Sequence, residues 1–482
     1  MPGNNSISEL CQTKYYNINT KEEYAKFSDV MLTSNTLDIV ALTELSSWYT
    51  YLGDRTLLRN VKRKVWFGKY FDANKGQEVL MIPEHGFKKS SAITIAKGLQ
   101  RELRKEIKNY IEGNHHIGIL LSGGMDSRII AGILREEQNN NPNIKITVFS
   151  WGKRTTRDPV YAERIAAMYN WKFEHFKITP ESLKRNIEIT AQQGCFYSPH
   201  HLHAMPEVAK KAKLLGIDCI LAGSYGDSIG RAEYSGKKVK KLKPLKSLIR
   251  DPFGIVNKRL YKSAREHTID EIDRYHGLYG ENKQWIINEL DYQLHYMRNQ
   301  LNTCMSIIAG SVPLYQCFTS RNVIEYIWAF HPDCRTDEVY LHLIKLIDQR
   351  LYEIPWARTG QRYLNKNDIP DKLGKAYHSY GNWIRKELSD FIETTIFSGE
   401  IEKTKVFDMK QIRYMYDINK SNLSMRGRQI DEIVLWLASL SVFLKQNRSK
   451  LEERIIQSRS KSIKGTLYLY AYLLKQTIKD NR

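Results

Sequence analysis

The stretch GILLSGGMDSRIIAGIL, residues 118–134, decides how this chain reads. A run of apolar residues stops at Ser122, Gly123 and Gly124 and resumes after Asp126, Ser127 and Arg128. Pure core has no use for two adjacent glycines and a carboxylate. The pattern predicts a buried strand over 117–121, a tight loop and then a helix. Glycines let backbone approach a ligand without a Cβ in the way and can adopt positive φ. The loop amides and the helix N-terminus then offer N–H donors and a partial positive charge. Such a junction is an anion site, most often for phosphate. No lysine follows the glycines, so it is not a Walker A loop, and no G-x-G-x-x-G follows the strand.

Working outward, the alternation continues. Further strands are expected over 144–150, 172–178 and 218–223, separated by helical stretches such as DPVYAERIAAMYN and MPEVAKKAKLLG. Strand–helix alternation implies an α/β fold with a parallel sheet covered on both faces. Upstream, ITIAKGLQRELRKEIKNYIEG repeats apolar residues every three to four positions and predicts a helix ending at Gly113. Residues 1–90 read as short strands and turns. After about residue 266 the strand signals fade, and amphipathic helices are expected to dominate.

The chain has 482 residues, 42% of them hydrophobic and 26% charged, which fits a globular protein of two or three domains. No apolar run approaches the roughly 18 residues of a membrane span. The N-terminus lacks the basic and apolar regions of a secretion signal. Cys11, Cys195, Cys219, Cys304, Cys317 and Cys334 form no C-x-x-C pair and read as scattered thiols of a cytoplasmic protein. The net charge is +21, and part of it lies in residues 231–265. Such charge admits nucleic acid as a partner. Base-reading motifs are absent, however, and aromatics are not interleaved through the run. The segment is therefore expected to be a solvated stretch, peripheral to catalysis.

SGGMDS matches the S-G-G-x-D-S signature of the PP-loop, or N-type ATP pyrophosphatase, superfamily. A second stretch, CILAGSYGDSIGRAEY at 219–234, resembles the L-S-G-E-G-x-D-E-x-F-G-G-Y region of asparagine synthetases. VFSWGKRTTRDPVYAERIAAMYNW and IVLWLASLSVFLKQN resemble later pieces of that synthetase domain, in the same order. ELSSWYTYLGDRTLLRNVKRKVWFGKYF loosely resembles the segment just before it. The resemblance implies a PP-loop core at about 115–235, a helical part at about 266–482 and an asparagine synthetase-like ATP-binding domain over 93–482. It implies a small β-rich remnant of a glutaminase-like domain over 1–92. It implies ATP held by Ser122, Gly123, Gly124, Asp126, Ser127, Ser150 and Gly223, and Mg²⁺ held by Asp126 and Asp227. The implied reaction is an ATP-dependent, AMP-forming ligation: a small-molecule or peptide carboxylate becomes an acyl-adenylate, and an amine donor attacks it. A tRNA-modifying PP-loop enzyme and a degenerate nucleotide-binding protein are the alternatives.

The chain also departs from the family. Its second residue is Pro2, where a glutaminase half needs a cysteine, and few residues precede the loop. The amine is therefore expected to be ammonia, ammonia from a separate partner subunit, or an amino group on a larger substrate. Ser224 and Ser228 stand where the family has glutamates. EIPWARTGQ replaces the L-P-x-x-I-x-x-R-x-K segment, which leaves Arg358 either as the catalytic cation there or as an exposed, solvated arginine. His200, His201 and His203 in SPHHLHAMP have no nearby cysteine or acid in sequence, so a loop near substrate is favoured over a metal site. Lys345 and Arg350 are expected to occupy a solvated helix face rather than to meet pyrophosphate.

Overall fold

The computed structural model describes residues 14–34, 36–48, 50–64, 69–72, 77–234, 236–281, 283–363, 367–421 and 428–447. Cys11, the stretch read for a secretion signal, residues 65–68 and residues 448–482 lie outside these.

Strands β1 (Tyr15–Asn17), β2 (Glu23–Tyr24) and β3 (Val61–Arg63) form a small antiparallel sheet in the order β2-β1-β3. Strands β4 (Lys69–Asp72) and β5 (Gln77–Leu80) form an antiparallel hairpin. The segment holds one element that the strand-and-turn expectation lacked, the helix Ile39–Trp48. Asp38 starts it by accepting the Val40 and Ala41 amides at 2.9 and 3.1 Å. Thr43, Ser46 and Ser47 are buried along with Ala41, Leu42 and Leu45. The helix therefore has no polar stripe to betray its period.

The centre is a five-stranded parallel sheet. Its strands are β6 (His116–Leu120), β7 (Lys145–Trp151), β8 (Lys172–Phe176), β9 (Cys219–Ala222) and β12 (Leu314–Gln316), in the order β12-β9-β6-β7-β8. Between β9 and β12 in sequence lies the two-residue ladder of β10 (Glu233–Tyr234) and β11 (Lys237–Lys238). β12 corrects the expectation that strands end with β9. It has only three residues, all buried, and pairs with β9 through Leu314↔Ile220 and Gln316↔Ala222. So short a run carries no alternation to read.

The sheet buries both faces. Ile117, Ile119 and Leu121 join Ile129, Ile130 and Ile133 of the loop helix in one apolar core. Leu120, Phe149 and Ala222 face a second core, shared with Tyr15, Leu42 and Leu58 of the N-terminal segment and with Val434 and Leu437 of the long helix Arg428–Asn447. Residues 14–64 thus pack into the main body. Arg63, fully buried, donates to Asn299 Oδ1 (3.0 Å), Thr303 Oγ1 (2.7 Å) and the Arg298 carbonyl (2.7 Å).

The chain leaves β6 for β7 on one side, while β9 lies on the other. The crevice beyond the carboxyl ends of β6 and β9 is therefore a topological switch point, where open parallel sheets bind ligands. Among the described residues, no helix is long and apolar enough to cross a membrane.

Candidate functional site

The loop after β6 leads into the helix Met125–Asn140, with Gly124 as its N-cap in extended conformation. Neither Gly123 nor Gly124 has positive φ; their value is closeness. A Cβ on Gly123 would stand 2.6 Å from the Ala357 Cβ and 2.9 Å from the Tyr161 ring. The left-handed conformation falls on Tyr225 in the second loop, at φ 70°, a strained choice for a bulky residue. Its hydroxyl donates to the Met297 carbonyl at 3.2 Å.

Side chains organise the first loop. Ser127 Oγ accepts the Ser122 amide (3.2 Å), Ser122 Oγ accepts the Gly124 amide (3.2 Å), and Asp158 Oδ1 accepts the Gly123 amide (3.0 Å). Asp158, from the first turn of the helix Arg157–Met168, was not singled out in the sequence. Burial raises its pKa, against the pull of that amide. The fully buried Arg128 closes the loop from below, donating to the carbonyls of Gly123 (3.0 Å) and Ile354 (2.6 Å).

A cavity of about 340 Å³ opens over this loop. Ser122, Asp126, Ser127, Ser150 and Gly223 line it, with Ser224 beside them. It adjoins a second cavity of about 930 Å³, whose wall includes Asp227, Ser228 and Glu233. Trp151, His203 and Met305 line both and mark the passage between them. Of the seven residues expected around nucleotide, Ser122, Asp126, Ser127, Ser150 and Gly223 line the smaller space, Gly123 and Gly124 do not, and Asp227 faces the larger one.

The two aspartates converge as expected. A Cβ on Gly226 would sit 2.6 Å from Asp126 Oδ1, and one on Gly223 would sit 2.6 Å from the Ser127 amide. The second loop therefore packs on the first turn of the loop helix only because both positions are glycine. Burial raises the pKa of Asp126 to about 7; Arg231 opposes the shift and Asp227 adds to it. The side chain keeps 23% of its surface accessible, but that surface opens onto the cavity, where bulk water solvates it poorly. Asp227 is raised too, first by burial, against Arg231 and a hydrogen bond from the Ser228 amide. Asp126 Oδ1 is buried and accepts no hydrogen bond. Two hard carboxylate donors, desolvated and close enough to repel, fit a Mg²⁺ ion, which Asp126 and Asp227 would hold.

Three residues that reading by sequence missed complete the electrostatics. Arg231, assigned there to the peripheral basic segment, is 3% exposed and lies 3.7 Å from Asp126 Oδ1. It also pairs with Asp337 at 2.8 Å and packs over the Tyr340 ring. The Tyr340 hydroxyl donates to the Gly226 carbonyl at 2.7 Å, anchoring the second loop. Glu233 binds Arg358 at 2.6 Å; burial opposes ionisation, yet Arg358 and Arg231 hold its carboxyl below the usual range. Arg231 follows Asp227 by four residues, one helical turn, which was the available signal. Its partners Asp337 and Tyr340 come from more than a hundred residues away.

Other candidates sort as follows. Arg358 stacks on Trp356 at 4.5 Å and acts on both aspartates electrostatically. Lys345 lies over the Tyr352 ring and Arg350 pairs with Asp348, so neither joins the loop. The Ser228 hydroxyl donates to the Tyr225 carbonyl at 3.3 Å and is part of the loop's own framework. The basic stretch divides. Lys237, Lys243 and Arg250 line the large cavity, which corrects a wholly peripheral placement, whereas Lys240 pairs with exposed Asp333. His203 sits at φ 46°, ψ −119°, a conformation few non-glycines adopt. Its Nδ1 lies 3.0 Å from the Tyr380 hydroxyl and its Nε2 3.4 Å from that of Tyr377.

Comparison with known proteins agrees with this geometry in one respect. Residues 98–276 match the asparagine synthase family. No curated protein matches the chain. Among solved structures, the U34-tRNA thiolase NcsA from Methanococcus maripaludis is similar at 15% identity and TM-score 0.23, over 45% of this chain and 78% of its own. NMN synthetase from Francisella tularensis is similar at 14% identity and TM-score 0.22, over 46% of this chain and 95% of its own. With its loops at the switch point of a parallel sheet, the segment 98–276 is the part of the chain that matches the asparagine synthase family.

Proposed function

We propose that the chain is an ATP-dependent, AMP-forming carbon–nitrogen ligase. The observation that carries this reading is the junction of the two cavities. A small one on the SGGMDS loop suits the phosphates of ATP and is lined by Asp126, and a larger one suits an organic acceptor and is lined by Asp227. Carboxylates resist amines because oxide is a poor leaving group. In the reaction, a carboxylate oxygen of the acceptor forms a bond to the α-phosphorus as the bond to the β-phosphate oxygen breaks, and pyrophosphate leaves. An amine nitrogen then bonds to the acyl carbon, the bond to AMP oxygen breaks, and the amine gives up a proton. Asp126 and Asp227 would hold Mg²⁺, which neutralises the departing pyrophosphate. Arg231, fixed between them and Asp337, adds a cation that needs no reorganisation.

The amine's proton needs an acceptor. Ser224, at the position of the family's glutamate, is a poor base at neutral pH. His203 stands at the passage between the cavities and is oriented by two tyrosine hydroxyls, so it is the group we assign to this step. A cavity of about 930 Å³ is far larger than ammonia or an amino acid needs. It favours a bulky acceptor, or an amine carried on a larger substrate and held beside the adenylate.

The test is ATP–pyrophosphate exchange and AMP release across carboxylates of increasing size, with glutamine, ammonium or amine-bearing partners supplied in turn. Carboxylate-dependent exchange is expected. ATP binding with no AMP formed across the panel would overturn the ligase reading. AMP formed only with tRNA would replace it with base modification.

A further inference from the structure

The histidine-rich turn SPHHLHAMP has a use that nucleotide chemistry does not absorb. His200 and His201 sit on the single 3₁₀ turn Pro199–Leu202. Their rings lie 4.1 Å apart between centroids. Sequence alone offered them no acid, but the fold brings one from a distance. Glu432, on the helix Arg428–Asn447, places Oε1 3.6 Å from His200 Nε2. One donor atom from each of the three residues lies within 4.8 Å of the others.

We propose that His200, His201 and Glu432 form a binding site for a divalent transition metal of the zinc class, set in the wall of the large cavity. Two imidazoles and a carboxylate are the three-ligand set of an open zinc site, whose fourth position goes to water or substrate. Mg²⁺ prefers oxygen donors and is a poor match. In a tetrahedral site with bonds of about 2.0–2.1 Å, donors stand about 3.3 Å apart. The 3.6 Å separation of His200 and Glu432 is already close to that, and the His201 donor lies within 4.8 Å of both. The opposite nitrogen of His200 lies 3.0 Å from Ser198 Oγ. That second hydrogen bond orients the ring and leaves Nε2 facing the carboxylate, the usual support of a ligating histidine.

The framework is rigid. Leu202 and Ile433 are buried beside the ligands, and Trp436 Nε1 donates to the Cys195 carbonyl at 3.1 Å, fastening the long helix to the segment before the turn. Two imidazoles this close repel when both are protonated, whereas a shared cation lets both stay neutral and adds attraction to Glu432. His201 and Gln429 line the large cavity, which puts one ligand of the set at its wall. A metal there would receive a carboxylate or amine of the second substrate. Binding of the metal is independent of the ligase reading.

The full chain, stripped with chelator and dialysed, is titrated with Zn²⁺ by calorimetry and with Co²⁺ by visible absorption. One equivalent is expected, with the intense visible bands of a four-coordinate Co²⁺. Glu432→Gln and His201→Ala should each weaken binding at least tenfold, while Asp126→Asn leaves it unchanged. Near-UV circular dichroism confirms that each variant is folded; His201, at the cavity wall, serves if the change at Glu432 disturbs the helix. Absence of a stoichiometric site, or equal binding by both folded variants, overturns the proposal. Loss of Zn²⁺ binding in Asp126→Asn alone would place the metal at the nucleotide loop instead.

Discussion

Replacing Asp126 with asparagine should stabilise the protein and abolish its chemistry at once. Burial and the Asp227 charge raise the Asp126 pKa from 3.8 to about 7. A carboxyl whose folded pKa exceeds its unfolded one binds more protons in the native state. Stability is therefore lost as pH rises from about 4 to about 7, and stays lost above that. Each tenfold change in proton affinity is about 1.4 kcal/mol, so the ceiling on this cost at pH 8 is about 4 kcal/mol. Water in the cavity and adjustment of Arg231 lower it, and a gain of about 1–2 kcal/mol is expected for Asp126→Asn at pH 8 without Mg²⁺. Thermal melting should show a rise in Tm of about 1–2 °C. The gain should shrink by more than half at pH 5, where the wild-type carboxyl is largely neutral. Mg²⁺ with pyrophosphate should raise the wild-type Tm and leave the variant's unchanged, and pyrophosphate exchange should vanish. A variant less stable than wild type at pH 8, or a gain equal at both pH values, would refute the electrostatic account. Full exchange activity would remove the metal site.

Arg231→Met leaves the aspartate pair without its internal cation and should lower pyrophosphate exchange about 100-fold, with a raised Mg²⁺ requirement; an unchanged rate would return Arg231 to the basic surface. His203→Gln should leave exchange nearly intact while slowing product formation and flattening the acidic limb of its pH profile, and equal loss of both half-reactions would count against a role in amine deprotonation. Glu289 forms a fully buried two-point pair with Arg335, at 2.9 and 2.7 Å. Burial opposes its ionisation, yet Arg335 and His85 hold its carboxyl low, so the pair stabilises above the unfolded pKa and is lost as pH falls through the folded one. Glu289→Gln should cost about 3–5 kcal/mol by urea denaturation at pH 7; a cost under about 1 kcal/mol would mean the site relaxes freely.

The parallel sheet was legible because its strands are continuous apolar runs between helices. β6, β7, β8 and β9 fall within two residues of the stretches that predict them. What escaped was short or buried on all sides. β12 has three residues and takes its identity from β9, and the helix Ile39–Trp48 turns polar and apolar residues alike into the core. Tertiary context decides such elements, and no local period records it.

The site divides along the same line. Ser122, Gly123, Gly124, Asp126 and Ser127 fall within one six-residue stretch, so their motif is legible in the sequence. Arg231, Tyr340 and Glu432 are ordinary residues until the fold sets them beside Asp126, Gly226 and His200. This bears on the serines at 224 and 228. Read in one dimension, losing two glutamates from the second loop removes the base and leaves doubt about activity. In three dimensions Ser228 braces the loop, Ser224 borders the smaller cavity, and an imidazole in a strained backbone stands where the two cavities meet. Strain of that kind costs about 1–3 kcal/mol and persists where the surrounding structure over-determines it. Tyr377, Tyr380 and Trp151 supply that constraint around His203. That constraint fixes the His203 imidazole where the two cavities meet, the position from which the proposed deprotonation of an amine would use it.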